Sequence, residues 1–143
     1  MARQETTYIV IHCSQTRPSQ DIGAKEIDTW HRQNGWLKIG YGKVIRRNGD
    51  VEQGRGDDEV QAHVRGYNHT SFGLCLVGGS TEEDWRKPED NFTDDQFESL
   101  KKVLNERCYM SLGYLDTSMA DNFNSLLNDI KSVHIIRYFL LVF

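Results

Sequence analysis

Two short apolar runs constrain this chain most. Tyr8-Ile9-Val10-Ile11 and Ser71-Phe72-Gly73-Leu74-Cys75-Leu76-Val77 carry no polar alternation, and the second is closed by Gly78-Gly79. Runs of this kind read as strands buried on both faces. A sheet built from them needs helices packed on it, and the sequence supplies those signals. Ala24, Ile27, Trp30 and His31 recur at helical spacing before Asn34-Gly35, which predicts a helix over 24–33. Thr93 and Gln96 form a T-x-x-Q capping box, with Phe92 and Phe97 at staple spacing. Phe97, Leu100 and Leu104 continue the stripe, predicting a helix over 94–106. Asn48-Gly49 between 43–47 and 50–53 is a strong short-range hairpin signal. The expected class is α/β: a single domain with a small central mixed β-sheet and flanking helices.

Composition excludes several function classes. Seventeen Lys and Arg stand against 21 Asp and Glu, a net charge of −4, so direct nucleic-acid binding through bulk charge is not expected. The longest apolar stretch, Tyr138 to Phe143, falls far short of the roughly 20 residues that span a bilayer. Membrane association is therefore not expected either. Met1-Ala2-Arg3-Gln4-Glu5 has no apolar core behind it, so no signal peptide is expected. Cys13, Cys75 and Cys108 are an odd number with no CxxC, which suits a reducing compartment.

Three places could carry chemistry. His12 ends the first strand, where ligands sit in open α/β sheets; a neutral imidazole there binds a metal, moves a proton, or is simply hydrogen-bonded. Tyr41 leads into the hairpin, either as a donor to a developing oxyanion or as a packing tyrosine. The segment from His63 to Gly73 gathers His63, Asn68 and His69 before a strand, as binding loops and solvated turns both do. Cys75 lies within a strand and reads as core. Cys13 points to the face opposite His12.

Five segments, in order, resemble the zinc amidase family of peptidoglycan recognition proteins. Ile9-Val10-Ile11-His12-Cys13-Ser14 is similar to its first strand. Glu26-Ile27 through Trp30-His31 and Gly35-Trp36-Leu37 are similar to its first helix and exit. Ile39-Gly40-Tyr41 matches the hairpin start, His63 through Gly79 the loop and next strand, and Asn91-Phe92-Thr93 with Gln96 and Leu100 the next helix. The likeness covers residues 8–106. It implies an amidase/peptidoglycan recognition fold and an enzyme that hydrolyses the N-acetylmuramoyl-L-alanine amide of peptidoglycan in phage lysis, accumulating as a monomer in the host cytoplasm. It implies a Zn2+ cofactor held by two His and one Cys, activating water at an open fourth position. His12 sits where the first zinc ligand sits and Tyr41 where the catalytic tyrosine sits. His63, Asn68 and His69 would line the peptide groove. Phage members also imply a second partner, a phage RNA polymerase.

The pattern breaks twice. After Tyr41 the family has His and an aromatic, whereas Gly42-Lys43 stand here, and Gly at a strand start is expected to weaken pairing. Beyond the capped helix, the region near Gly113 to Ala120 has no His, no Cys follows Cys108, and no Pro follows Pro88. The second and third zinc ligands and the oxyanion-stabilising Lys have no counterpart, leaving Cys108 and His134 as ill-placed substitutes. The chain thus divides into an amidase-like part, 1–107, and a divergent tail, 108–143. That tail is either read out of frame or real with another role. Met119, Phe123, Leu126, Leu127 and Ile130 at helical spacing favour the latter. Phe139 to Phe143 has the character of an aggregation-prone end, whose removal is expected to raise soluble yield. The rival to an enzyme is a non-catalytic protein that binds peptidoglycan or a phage RNA polymerase.

Overall fold

A computed structural model describes residues 2–3, 6–112 and 139–142. Five strands form one sheet in the order β3-β2-β4-β1-β5. The three inner strands are parallel: β1 (Tyr8–Cys13), β4 (Ser71–Leu76) and β2 (Lys43–Ile45). The edges, β3 (Val51–Gln53) and β5 (Phe139–Val142), are antiparallel to their neighbours. This distribution follows from burial, since parallel strands covered on both faces are the ones that read as continuous apolar runs.

Side-chain alternation splits the sheet into two faces. Ile9, Ile11, Phe72, Leu74, Leu76 and Ile45 pack with Phe97, Leu100, Val103 and Leu104 of α2 (Asp94–Leu112). On the other face, Val44, Cys75 and Val77 pack with Ile22, Ile39 and Ile27 of α1 (Ala24–Gln33). Cys75 is wholly buried there, and burial pushes its thiol pKa well up, so it is core as expected.

Local chemistry sets the ends of the elements. Gln96 N–H donates to Thr93 Oγ1 at 3.1 Å and Thr93 N–H to Gln96 Oε1 at 3.0 Å, the reciprocal capping box. The Gln96 amide also reaches the Ile45 and Val77 carbonyls, tying α2 to β2 and to the chain leaving β4. At the end of α1, Gly35 at φ 87° lets its own N–H reach Arg32 O and Trp36 N–H reach His31 O, a Schellman turn. In the hairpin, Gly49 at φ 89° closes a loop wider than a two-residue turn, with Gly49 N–H on Arg46 O and Arg46 N–H on Asp50 O.

Two differences from expectation lie toward the C-terminus. Helix α2 runs to Leu112 rather than 106, so the expected boundary at 107/108 falls inside it. Phe139–Val142 pairs with β1, from Tyr8↔Val142 to Ile11↔Phe139, and so serves as an edge strand. Its loss would bare the backbone of an apolar strand, the usual route to edge-to-edge association. The expected stripe from Met119 to Ile130 lies outside the described residues.

Candidate active site

The site grows on the α1 face of β1 and β4. His12 is the last inward residue of β1 on that face, 5% exposed, and pairs with Cys75 in register. Two residues back on β4, Gly73 presents only hydrogen. A Cβ there would lie 2.6 Å from the His63 ring, so the absent side chain makes the space in which that imidazole lies against the sheet. A glycine inside a buried strand run often marks such a close approach.

His63 is fixed at every polar point. Its Nδ1 lies 2.8 Å from His12 Nε2 and its Nε2 lies 3.0 Å from Ser71 Oγ. Its backbone N–H and that of Val64 donate to Asn68 Oδ1 at 2.9 and 3.0 Å. Asn68 thus spends its carbonyl oxygen on shaping the loop. His69 is exposed on the same loop and takes no part in the ring contacts around His12.

Tyr41 stands between two imidazoles, its ring centroid 5.0 Å from His12 and 5.4 Å from His31. His31 stacks in turn on Trp36 at 4.5 Å, a consequence of the Schellman turn that folds Trp36 back. His31 Nδ1 accepts the Gly40 N–H at 2.9 Å, so in its neutral form the proton is on Nε2. The backbone before Tyr41 is thereby pinned to α1. The sequence marks His31 only as a helix-stripe residue. The helix stop at Asn34-Gly35 followed by Trp36 is the signal that could have brought it into the site.

Gly42 corrects an expectation. Its N–H donates to Gly73 O at 2.9 Å and its carbonyl accepts from Gly54 N–H at 2.8 Å, so the start of β2 is fully paired. A Cβ at Gly42 would meet Gln61 Nε2 at 2.2 Å and the Phe72 ring at 2.6 Å. Gln61 and Phe72 fill the volume that a larger residue after Tyr41 would need.

Burial keeps the imidazoles neutral. It lowers His12 to about 4. It lowers His63 to about 3, with His12 and then Arg3 and Arg55 adding to the effect. It also lowers His31, with Arg55 adding and Asp28 opposing. At pH 7 the cluster offers lone pairs and N–H donors rather than charge. Among the described residues no group of three His, Cys, Asp or Glu side chains converges as a metal site.

Sequence comparison places this geometry among known proteins. The N-acetylmuramoyl-L-alanine amidase family profile matches residues 2–116. The endolysin of Klebsiella phage KP32 is 50% identical over 104 residues, covering 73% of this chain and 68% of the relative. The endolysin of Escherichia phage T7 is 48% identical over 102 residues, covering 71% and 66%. Among solved structures, the N-acetylmuramoyl-L-alanine amidase LysC from Clostridium intestinale superposes with a TM-score of 0.58 at 29% identity, covering 76% of this chain and 65% of LysC. The chain thus spans about two thirds of the length of these relatives. With its mixed sheet, its two flanking helices and the sequence match over most of its length, the chain belongs to the N-acetylmuramoyl-L-alanine amidase family, the peptidoglycan amidases that include phage endolysins.

Proposed function

We propose that this chain hydrolyses the N-acetylmuramoyl-L-alanine amide of peptidoglycan in phage lysis, with the reaction centred on His12 and Tyr41. The observation that carries this reading is that pair: a neutral imidazole and a phenol with rings 5.0 Å apart, on a family-matched sheet face. The Tyr41 hydroxyl is a donor for the carbonyl oxygen as it becomes an oxyanion. His12 sets a neutral imidazole beside that phenol. The loop shaped by Asn68 borders the face that the peptide would approach.

Zn2+ is the cofactor that the family implies. A catalytic zinc takes three protein donors and an open position. The described residues bring together only His12 and His63, and these are bonded to each other, so by themselves they do not fit such an ion. No step is assigned to a metal. His12 remains the proposed ligand, while the Cys108 side chain and His134 lie outside the described residues. The expected zinc content of the chain as written is below one per molecule.

The test is release of new amino termini from purified cell walls, alongside zinc by elemental analysis. Tyr41→Phe should lower turnover by about 10²-fold, the usual loss for one oxyanion donor, with zinc content unchanged. Equal turnover in Tyr41→Phe would remove the phenol from the mechanism. The incomplete donor set favours one rival, a non-catalytic peptidoglycan binder. Co-sedimentation with walls without any release of amino termini would select it.

A further inference from the structure

The backbone leading into Tyr41 is held from two sides. Helix α1 ends in the Schellman turn, so the chain folds back along it and meets Asp28 and His31, which lie one turn apart. Asp28 Oδ1 accepts the Ile39 N–H at 2.8 Å, and His31 Nδ1 accepts the Gly40 N–H at 2.9 Å. On the carbonyl side, Arg55 Nε donates to Ile39 O at 2.8 Å, Ala62 N–H to Gly40 O at 3.0 Å and Arg55 N–H to Tyr41 O at 2.9 Å. Gly40 is hemmed in as well: a Cβ there would run into the Ala62 carbonyl and lie 3.0 Å from the Trp36 ring. The His31 ring lies against both Trp36, at 4.5 Å, and Tyr41, at 5.4 Å.

We propose that His31 is a positioning residue for Tyr41: through the Gly40 N–H it fixes the peptide before the tyrosine, and so sets the Tyr41 ring against His12, 5.0 Å between centroids. This rests on the amidase reading for its effect on turnover and not for its geometry. Gly40 is buried, so without an acceptor at position 31 its N–H would be left unpaired. The Ile39–Gly40 peptide would then be held at its carbonyl alone and would tilt until the N–H found a partner. The bonds to Ile39 N–H, Ile39 O, Gly40 O and Tyr41 O come from other residues and keep the segment in place. The loss of His31 is therefore felt as a change in the aim of Tyr41 rather than as unfolding. Small misplacements of a reacting group are costly, since turnover depends on its distance and angle to the substrate. A residue that only packed in the α1 stripe would need no acceptor, and that difference makes the role testable.

The test separates the acceptor from the ring. His31→Asn places Oδ1 where Nδ1 stood and keeps the acceptor, whereas His31→Phe keeps a ring and loses it. In the full chain labelled with nitrogen-15, a coupling across the hydrogen bond should join the Gly40 amide nitrogen to His31 Nδ1. Nuclear Overhauser contacts between the Tyr41 and His12 rings should weaken in His31→Phe and persist in His31→Asn. On cell walls, His31→Phe should lose up to about 10²-fold in kcat with little change in KM, and His31→Asn should recover most of it. Because His31 acts through the phenol, His31→Phe should cost nothing further in the Tyr41→Phe background. Four results would overturn the proposal: ring contacts indifferent to His31→Phe, a loss that His31→Asn does not recover, an effect confined to KM, or full additivity with Tyr41→Phe. If His31→Phe does not fold, the coupling in the unmodified chain and the ring contacts of His31→Asn decide; both must be present. If the unmodified chain releases no amino termini, the amidase reading fails, while the positioning of Tyr41 still stands or falls on the spectra.

Discussion

The two faces of one sheet are built on opposite terms. Toward α2, strands β1, β4 and β2 contribute Ile9, Ile11, Phe72, Leu74, Leu76 and Ile45, and the helix answers with Phe97, Leu100, Val103 and Leu104. Toward α1 the same strands are apolar at Val44 and Cys75, with Val77 just beyond β4, but carry His12, Gly73 and Ser71 on β1 and β4. One face is closed by volume. The other leaves a gap at Gly73 and fills it with an imidazole whose nitrogens are satisfied one by one. The difference shows where this fold gathers titratable groups: Gln96 spends its buried amide on tying α2 to the sheet, whereas the α1 face holds imidazoles partnered with each other and with Ser71.

The largest effect should come from the closed face. Phe72 is fully buried, and the Arg107 guanidinium lies 3.9 Å from its ring centroid. Phe72→Ala should cost about 3–5 kcal/mol of stability, read by urea denaturation. A loss below about 1 kcal/mol would mean that this face collapses around cavities and is not close-packed. Acid should next find the open face. A free imidazole titrates near 6.5, whereas folded His12 titrates at about 4 and His63 at about 3. Between those values the unfolded chain binds protons that the folded chain refuses. Stability is thus fully present above pH 6.5 and falls as pH drops toward 4, by about 1.4 kcal/mol per pH unit for each histidine. The check is the urea midpoint against pH for the unmodified chain and for His63→Asn. The variant should show the shallower slope, and identical slopes would place His63 in water.

Local signals made much of the closed face legible in the sequence. The Thr93–Gln96 box, the Phe92–Phe97 staple and the Phe97, Leu100, Leu104 stripe act within a few residues, and the helix begins where they place it. Its end was placed too early: nothing from Arg107 to Leu112 stops a helix, and the stop signal in the sequence is Gly113, directly after Leu112. On the open face, His12 and Tyr41 could be singled out by position. Their arrangement could not, since His12 meets His63 across 51 residues of sequence through a gap left by Gly73. Gly42 was misread for a related reason. Pattern reading sees a weak strand start, while the cause is the bulk of Phe72 and Gln61 packed against it.

Gly73→Ala sharpens the comparison by filling that gap. The new methyl would sit 2.6 Å from the His63 ring, too close for either to stay. The expected cost is about 1–3 kcal/mol, smaller than that of Phe72→Ala, because the loop carrying His63 can yield. Turnover should fall further than stability suggests, since the displaced imidazole is the partner of His12. Thermal melts paired with the wall assay check this. Full activity in a destabilised Gly73→Ala would uncouple His63 from catalysis.

The smallest effect lies one residue from one of the largest. Leu100 and Lys101 are adjacent on α2, but Leu100 is 2% exposed in the core while the Lys101 ammonium pairs with Glu98 at 3.1 Å on the outer side. Leu100→Ala removes buried contacts and should cost about 2–5 kcal/mol. Lys101→Ala removes an i,i+3 ion pair worth about 0.2–0.5 kcal/mol and introduces the best helix former, so the two terms nearly cancel. The net change should be within about 0.5 kcal/mol, with turnover unaltered, read by the same urea curves and wall assay. A loss above 1 kcal/mol would mean that the outer side of α2 is covered, and that the division between its two sides is drawn in the wrong place.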